Sequence, residues 1–304
     1  MATNVRHPKR YRRRKPQRSW RLAWIVSLVL VWLLCSGDAW ANSLSSRVTH
    51  FPMWDTRPPV QPAQGDLYYP QWLAGSWDVT TTLVDMVAPA APEVVSPGFE
   101  SNRQFLDRPV RFQARFLPEA ARSLQLPWFM VPLSTQPRIV ADRAFNGLNL
   151  ARASLEAVSQ GEATLPRSGK TQSIVQAVKV DPDNPNRQIT LLRGDRQLVS
   201  TVTARATETP SAHEFVTTEV FQQEFRGQPQ IYFNIVETTT AYQYQPRLTE
   251  PVADHGESPE IVADQVTAVY LSPQDPDFFK LGDRPVALYR YQLAFHRSAL
   301  ATGG

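Results

Sequence analysis

The chain has 304 residues, 42% of them hydrophobic, and its 26 prolines against 13 glycines leave room for few helices and favour strands that end at prolines. Its net charge of +4 is misleading, because residues 1–41 hold nine Lys and Arg against one acid, whereas the rest holds 23 basic and 27 acidic residues. The body is therefore mildly acidic, with a net charge of −4, and gives no basis for a nucleic-acid partner.

The first 41 residues have the three parts of an export signal. A basic segment precedes the apolar run Leu22–Leu34, and Ala39-Trp40-Ala41 is a small-x-small cleavage site. The apolar run is shorter than the ~20 residues of a spanning helix. We therefore predict export with cleavage after Ala41, or anchoring in a membrane by residues 22–34 if cleavage does not occur. The only cysteine, Cys35, lies in this leader, so no disulfide is expected in the body.

Residues 42–66 are polar and rich in proline, which predicts an extended linker. We predict a single folded domain at residues 67–298 and a disordered tail at 299–304. The first clear strand is Gly75–Val84, where Trp77, Val79, Thr81 and Leu83 alternate with polar residues. A period of two residues is typical of a strand that buries one face.

The rest of the domain has the pattern of strands joined by short turns. Further strands are predicted at 108–117, 139–145, 173–180, 188–192, 197–206, 213–226, 230–244, 261–271 and 285–297. One helix is predicted at Leu148–Val158, where apolar residues recur every three or four positions. Successive antiparallel strands close most economically as an up-and-down barrel, which removes exposed edges. The sequence thus predicts an all-β barrel of about nine or ten strands with one helical insertion, and a β-sandwich is the alternative.

The triplet Gly75-Ser76-Trp77 at the start of the first strand resembles the Gly-x-Trp of the lipocalin and calycin barrels. In those barrels the Trp plugs the closed end, and an Arg of the last strand often packs over its ring. The resemblance implies a lipocalin-like barrel in which Trp77 is the structural plug. Arg297, at the end of the last strand, is the expected partner, and Arg290 is the second candidate.

Aromatic residues on the inward faces of the predicted strands are the candidates for a ligand site. They are Phe112, Phe116, Phe215, Phe221, Phe225, Tyr242 and Tyr244. These rings either line an apolar pocket for a lipid, carotenoid or tetrapyrrole, or fill the interior as ordinary core.

The run Leu126–Leu133 is apolar, but its prolines prevent a regular helix or a central strand. With Trp128, Phe129 and Met130 it suits a lid over the barrel mouth or a contact with a membrane surface or a membrane-protein complex. A loop that packs back on the barrel is the alternative.

Motifs for catalysis or metal binding do not emerge from the sequence. The histidines of the body are scattered, so neither a metal site nor a catalytic residue is predicted. His296, near the end of the last strand, invites comparison with nitrobindin-type barrels, which hold haem on a late histidine. The glycine-rich first strand of that family is missing, so no cofactor is predicted, with haem or another tetrapyrrole as the alternative.

Three segments resemble an uncharacterised family of cyanobacterial and plastid proteins. They are Tyr69–Val79, Ser96–Glu100 and Val180–Arg196, and the resemblance extends over residues 67–297. It implies an exported protein of a photosynthetic cell, in the thylakoid lumen or periplasm. It carries no activity and no catalytic residues.

Three functions follow from these patterns. The first is a non-enzymatic exported barrel that binds a small hydrophobic ligand. The second is a scaffold or assembly factor that acts on a membrane complex through the apolar loop, with a filled barrel. The third is a cofactorless isomerase or cyclase, which would need a buried acid–base pair. A cavity of several hundred Å³ would favour the first function, and a packed interior would favour the second.

Overall fold

The computed structural model describes a defined part of the chain. The described residues are 43–96, 98–119, 137–161, 174–227, 232–246 and 258–298, with the side chains of the 143–161 helix described as far as residue 155. The predicted leader, the apolar loop with Trp128, Phe129 and Met130, and the predicted tail lie outside the described residues.

Eleven strands and three short or medium helices make up the described structure. The strands are β1 Gln61–Pro62, β2 Gly75–Val87, β3 Pro109–Pro118, β4 Ile139–Ala141, β5 Val175–Asp181, β6 Asn184–Leu192, β7 Gln197–Ser211, β8 Glu214–Arg226, β9 Tyr232–Tyr244, β10 Ile261–Leu271 and β11 Ala287–Arg297. The α-helices are α1 Leu44–Thr49, α2 Arg143–Gly161 and α3 Phe278–Leu281, and 3₁₀ turns lie at Gln71–Leu73 and Glu100–Phe105. No helix in the described ranges is long and apolar enough to cross a membrane.

All strands belong to one antiparallel sheet that curls into a half-barrel. Its order is β4-β3-β2-β11-β10-β9-β8-β7-β6-β5, and the short β1 pairs with β7 from outside this path. From β2 to β4 and from β5 to β11, strands that follow one another in the chain are neighbours in the sheet, and β2 pairs with the last strand, β11. The prediction of an all-β, up-and-down, barrel-like fold is confirmed, and the strands do not divide into the two sheets of a sandwich.

The two-residue period of the strands explains which face each side chain takes. On β2, Trp77 and Val79 are fully buried, whereas Asp78 between them is exposed. Trp77 pairs with Ala114 on β3 and with Arg297 on β11, so the inward residues of three strands meet at one level. Around Trp77, Leu73, Ile139, Ile261 and Phe295 form the core at this end of the half-barrel, which we call the base.

Helix α2 lies across the gap between the two edges of the sheet. It contacts β3 on one side and β5 on the other, and among the described residues the hydrogen-bonded path itself stops at β4 and β5. The side-chain amide of Asn146 on α2 accepts from the backbone N–H of Arg115 at 2.7 Å and donates to its carbonyl at 3.1 Å. An α2 side chain thus satisfies backbone groups at the edge of β3, as a neighbouring strand would.

Residues 43–57 pack on the outer face of the sheet. Helix α1 buries Val48, and Trp54 follows it into a cluster with Val266 and Leu288. Arg47 donates from Nε and Nη2 to the two carboxylate oxygens of Glu237 at 2.7 and 2.8 Å. This region was predicted as part of an extended linker, and the structure corrects that interpretation. The prolines of the segment favoured the prediction of a linker, whereas the apolar residues Val48 and Trp54 attach it to the sheet.

Candidate functional site: a cavity inside the half-barrel

The concave side of the sheet and helix α2 line a partly open cavity. Its part towards the base has a volume of about 630 Å³, and a part of about 640 Å³ adjoins it towards the opposite end, where Arg108 and Phe105 lie. Both parts are lined by the same middle residues. These are Phe112, Leu150, Ser154, Leu155, Gln223, Val236, Thr238, Gln265 and Leu293. The described side chains thus line this space from the sheet and from α2.

The structure places five of the seven predicted lining residues around this cavity. They are Phe112, Phe116, Phe221, Phe225 and Tyr242. Phe215 is buried at the base and packs against Tyr69 and Tyr242, with ring centroids 5.8 and 6.3 Å away. Tyr244 instead stacks on Trp72, with centroids 5.6 Å apart, and is not among the cavity-lining residues. Five of the predicted rings thus line the cavity, and the other two belong to the base.

The side chain of Trp77 lies at the centre of the base. Its side chain is fully buried, and its Nε1 donates to the carbonyl of Leu73 at 2.8 Å. The guanidinium carbon of Arg297 lies 4.4 Å from the centroid of the Trp77 ring, within cation–π range. Gly75 has φ +119°, and a Cβ there would lie 3.1 Å from Nη1 of Arg297. The backbone conformation therefore favours glycine, whereas the flexible end of the Arg297 side chain would have to move only a few tenths of an ångström to admit a Cβ. Arg290, the second candidate, pairs with Asp264 on β10 instead.

A buried ionic cluster lies beside the base. Arg143 at the start of α2 forms two hydrogen bonds to the carboxylate of Glu219, at 2.8 and 3.1 Å, and contacts Asp66 at 3.3 Å. Arg205 reaches the same Glu219 carboxylate at 3.2 Å. Burial lowers the pKa of Arg205. Burial also acts to lower the pKa of Arg143, but the charge and hydrogen bonds of Glu219 outweigh it and raise that pKa. Two cations thus face two carboxylates.

The phenol groups around the cavity stay protonated over a wide pH range. Burial raises the pKa of Tyr69 and of Tyr242 well above the ordinary value for tyrosine. Burial also raises the pKa of Tyr291, near the opposite end of the cavity, to about 12. These three side chains therefore present neutral hydroxyl groups, not phenolates, at any pH near neutrality.

Sequence reasoning missed the polar residues of the cavity wall. They are Asn146, Ser154, Asn186, Gln188, Thr190, Ser200, Gln223, Thr238 and Gln265. The two-residue period of β8 indicates the position of Gln223, because Gln223 lies between Phe221 and Phe225 and shares their face of the strand. The predicted lining residues were all aromatic and therefore did not include Gln223.

His296 lies on the face away from the cavity, where it pairs across the strands with Asp78 and lines an outer groove with Arg111. Within the part of the chain that the structure describes, no cluster of three or more His, Cys, Asp or Glu side chains is arranged to hold a metal ion.

Comparison with protein-family models gives a match that covers most of the chain. No curated protein and no solved structure is significantly similar to this chain. The model of the family described as Domain of unknown function (DUF6816) matches residues 61–299, which includes every strand of the half-barrel. The chain therefore belongs to this family.

Proposed function

We propose that the protein binds a small hydrophobic ligand in the cavity of its half-barrel, as a lipocalin-like carrier that acts outside the cytoplasm. The observation that carries the proposal is the cavity of about 630 Å³ between the sheet and α2. Ligand sites in proteins usually enclose ~300–1,000 Å³ and are lined by apolar and aromatic side chains with a few polar groups. The lining by Phe112, Phe221 and Phe225 beside amide and hydroxyl groups has this character.

A ligand in this space would give the side chains around it packing partners, and burial of its apolar surface would favour binding. Trp77 and the buried core around it form one end of the cavity. A closely packed end favours a site whose shape is fixed before the ligand binds.

Co-purification gives the most direct test. We expect the protein isolated from its native cells to carry an apolar molecule, visible as added mass in native mass spectrometry and released by organic solvent. An absorption spectrum would show whether that molecule is a pigment. Ligand-free protein that also fails to bind an added fluorescent fatty acid, cis-parinaric acid, would contradict the proposal.

The variant Gln223→Trp should block the cavity. Residue 223 lines both of its parts, so an indole there occupies the middle of the space. We expect the affinity for cis-parinaric acid, measured by its fluorescence on titration, to fall at least about tenfold, equivalent to ~1.4 kcal/mol. Gln222→Trp is the matched control, because Gln222 directly precedes Gln223 on β8 and is exposed. If both variants bind like the unmodified protein, the cavity is not the binding site.

A further inference from the structure

One wall of the cavity carries a row of neutral polar side chains. Gln188 on β6, Ser200 on β7 and Gln223 on β8 are direct partners in the register of the three strands, and all three line the cavity. Directly paired residues on one face of an antiparallel sheet have Cβ atoms ~4.5–5.5 Å apart. The three side chains therefore stand next to one another across the wall.

These polar groups lack hydrogen-bond partners within the part of the chain that the structure describes. Among the described residues, nothing donates to or accepts from the side chains of Gln188, Ser200 and Gln223. Asn234, which pairs with Gln223 from β9, has a buried Oδ1 that also lacks a hydrogen-bond partner in the described structure. The side chains of Gln188, Ser200 and Gln223 are half-buried, and a ligand that covers them has to replace the water they can bond to. The row is therefore suited to a ligand that supplies hydrogen bonds.

The facing wall is mostly apolar, with Ser154 on α2 as a polar residue within it. Phe112 on β3, Leu293 on β11 and Leu150 and Leu155 on α2 line the same middle section as Gln223. A ligand that fills this section contacts hydrocarbon on one side and amide or hydroxyl groups on the other. It must therefore be an amphiphile whose polar group lies within its apolar body.

Charge in the described lining is confined to the two ends of the cavity. Arg143 lies near the base and is bound to Glu219, and Arg108 is exposed at the opposite end. Neither Gln188, Ser200 nor Gln223 can neutralise an ionised group, and an unpaired buried charge is highly unfavourable. The polar group of the ligand at this level is therefore uncharged.

We propose that the cavity selects lipids that carry a neutral hydroxyl or carbonyl group within their apolar body, at the level of Gln188, Ser200 and Gln223. This inference rests on the proposed function and specifies its ligand class. Amide side chains can both donate to and accept from a hydroxyl group, whereas a plain hydrocarbon chain at the same level leaves them unpaired. A site built to bond a hydroxyl group discriminates strongly against the analogue that lacks it.

Two fatty acids that differ in one group test this proposal. Stearate and 12-hydroxystearate have the same chain and the same carboxylate, so a difference in affinity reports on the hydroxyl group alone. We expect 12-hydroxystearate to displace cis-parinaric acid at a concentration at least about tenfold lower than stearate. Equal affinities would overturn the inference and leave the proposed function in place. Binding of neither acid would overturn both.

The variant Gln223→Met identifies the groups responsible. Methionine is close to glutamine in length and cannot form the amide hydrogen bonds. We expect it to weaken binding of 12-hydroxystearate, while the affinity for stearate is unchanged or higher, so that the preference falls to about twofold or less. Gln222→Met, on the opposite face, is the control and should keep the preference. A Gln188→Met/Gln223→Met variant that still prefers the hydroxylated acid would overturn the assignment, provided that its unfolding curve matches the unmodified protein.

Discussion

Replacing Arg47 by methionine should lower the free energy of unfolding by about 3–5 kcal/mol, because it leaves a fully buried carboxylate without its counter-charge. Glu237 is 0% exposed, and Arg47 is its charged partner at 2.7 Å. Tyr270 donates to the same carboxylate at 2.7 Å, and Thr239 donates at 3.0 Å, but neither carries a positive charge. The substitution also removes the packing of Arg47 over Trp54, at 4.1 Å from the ring centroid.

Chemical unfolding of the purified protein, followed by tryptophan fluorescence, measures this loss. The double variant Arg47→Met/Glu237→Leu should recover most of it, since removing both charges also removes the cost of burying one alone. Arg103→Met is a control at an exposed pair, where Arg103 and Glu100 are 56% and 68% exposed, and should change stability by less than about 1 kcal/mol. A single variant as stable as the unmodified protein would show that the Arg47 contact does not hold residues 43–57 to the sheet.

Replacing Trp77 by alanine should lower the free energy of unfolding by about 3–5 kcal/mol. The indole is fully buried in the base, packs edge-on against Phe295 with centroids 6.3 Å apart, and bonds to the carbonyl of Leu73. Its removal opens a void in the buried core of the base and leaves Arg297 without the ring beneath its guanidinium group.

The same unfolding experiment measures the effect, with Trp72→Ala as the comparison. Trp72 stacks on Tyr244 and is only partly buried, so its truncation should be less costly. Trp77→Phe keeps an aromatic ring but loses the hydrogen bond to Leu73, and should fall between the unmodified protein and Trp77→Ala. A loss of stability below about 1 kcal/mol for Trp77→Ala would mean that this residue does not close the base.

The strands could be predicted because their signal is local. Ile261–Leu271 was predicted at its observed bounds, and alternation placed Trp77, Val79 and Leu83 on the buried face of β2. The helix was predicted five residues too late, at Leu148. It begins after Asp142, whose Oδ1 accepts from the N–H of Phe145 at 3.1 Å, an N-terminal cap that periodicity alone does not reveal.

Other features depend on distant contacts and could not be read from local patterns. The pairing of Arg47 with Glu237 joins residues 190 positions apart, and nothing near either residue indicates it. The polar row of Gln188, Ser200 and Gln223 exists only once the register of three strands is known. Phe215 and Tyr244 follow the predicted alternation but lie in the base, beyond the end of the cavity. Their distance from the cavity depends on where the base closes, which alternation within a strand does not indicate.

The attachment of residues 43–57 has a consequence for how far the folding unit extends. The family match begins at residue 61, after this segment. A fragment cut at that position would uncover Val266, Leu288 and Tyr270 on the outside of the sheet and remove the guanidinium group that pairs with Glu237. Such a fragment should aggregate through that newly exposed apolar surface. The packed unit therefore extends beyond the stretch of chain that the family match covers.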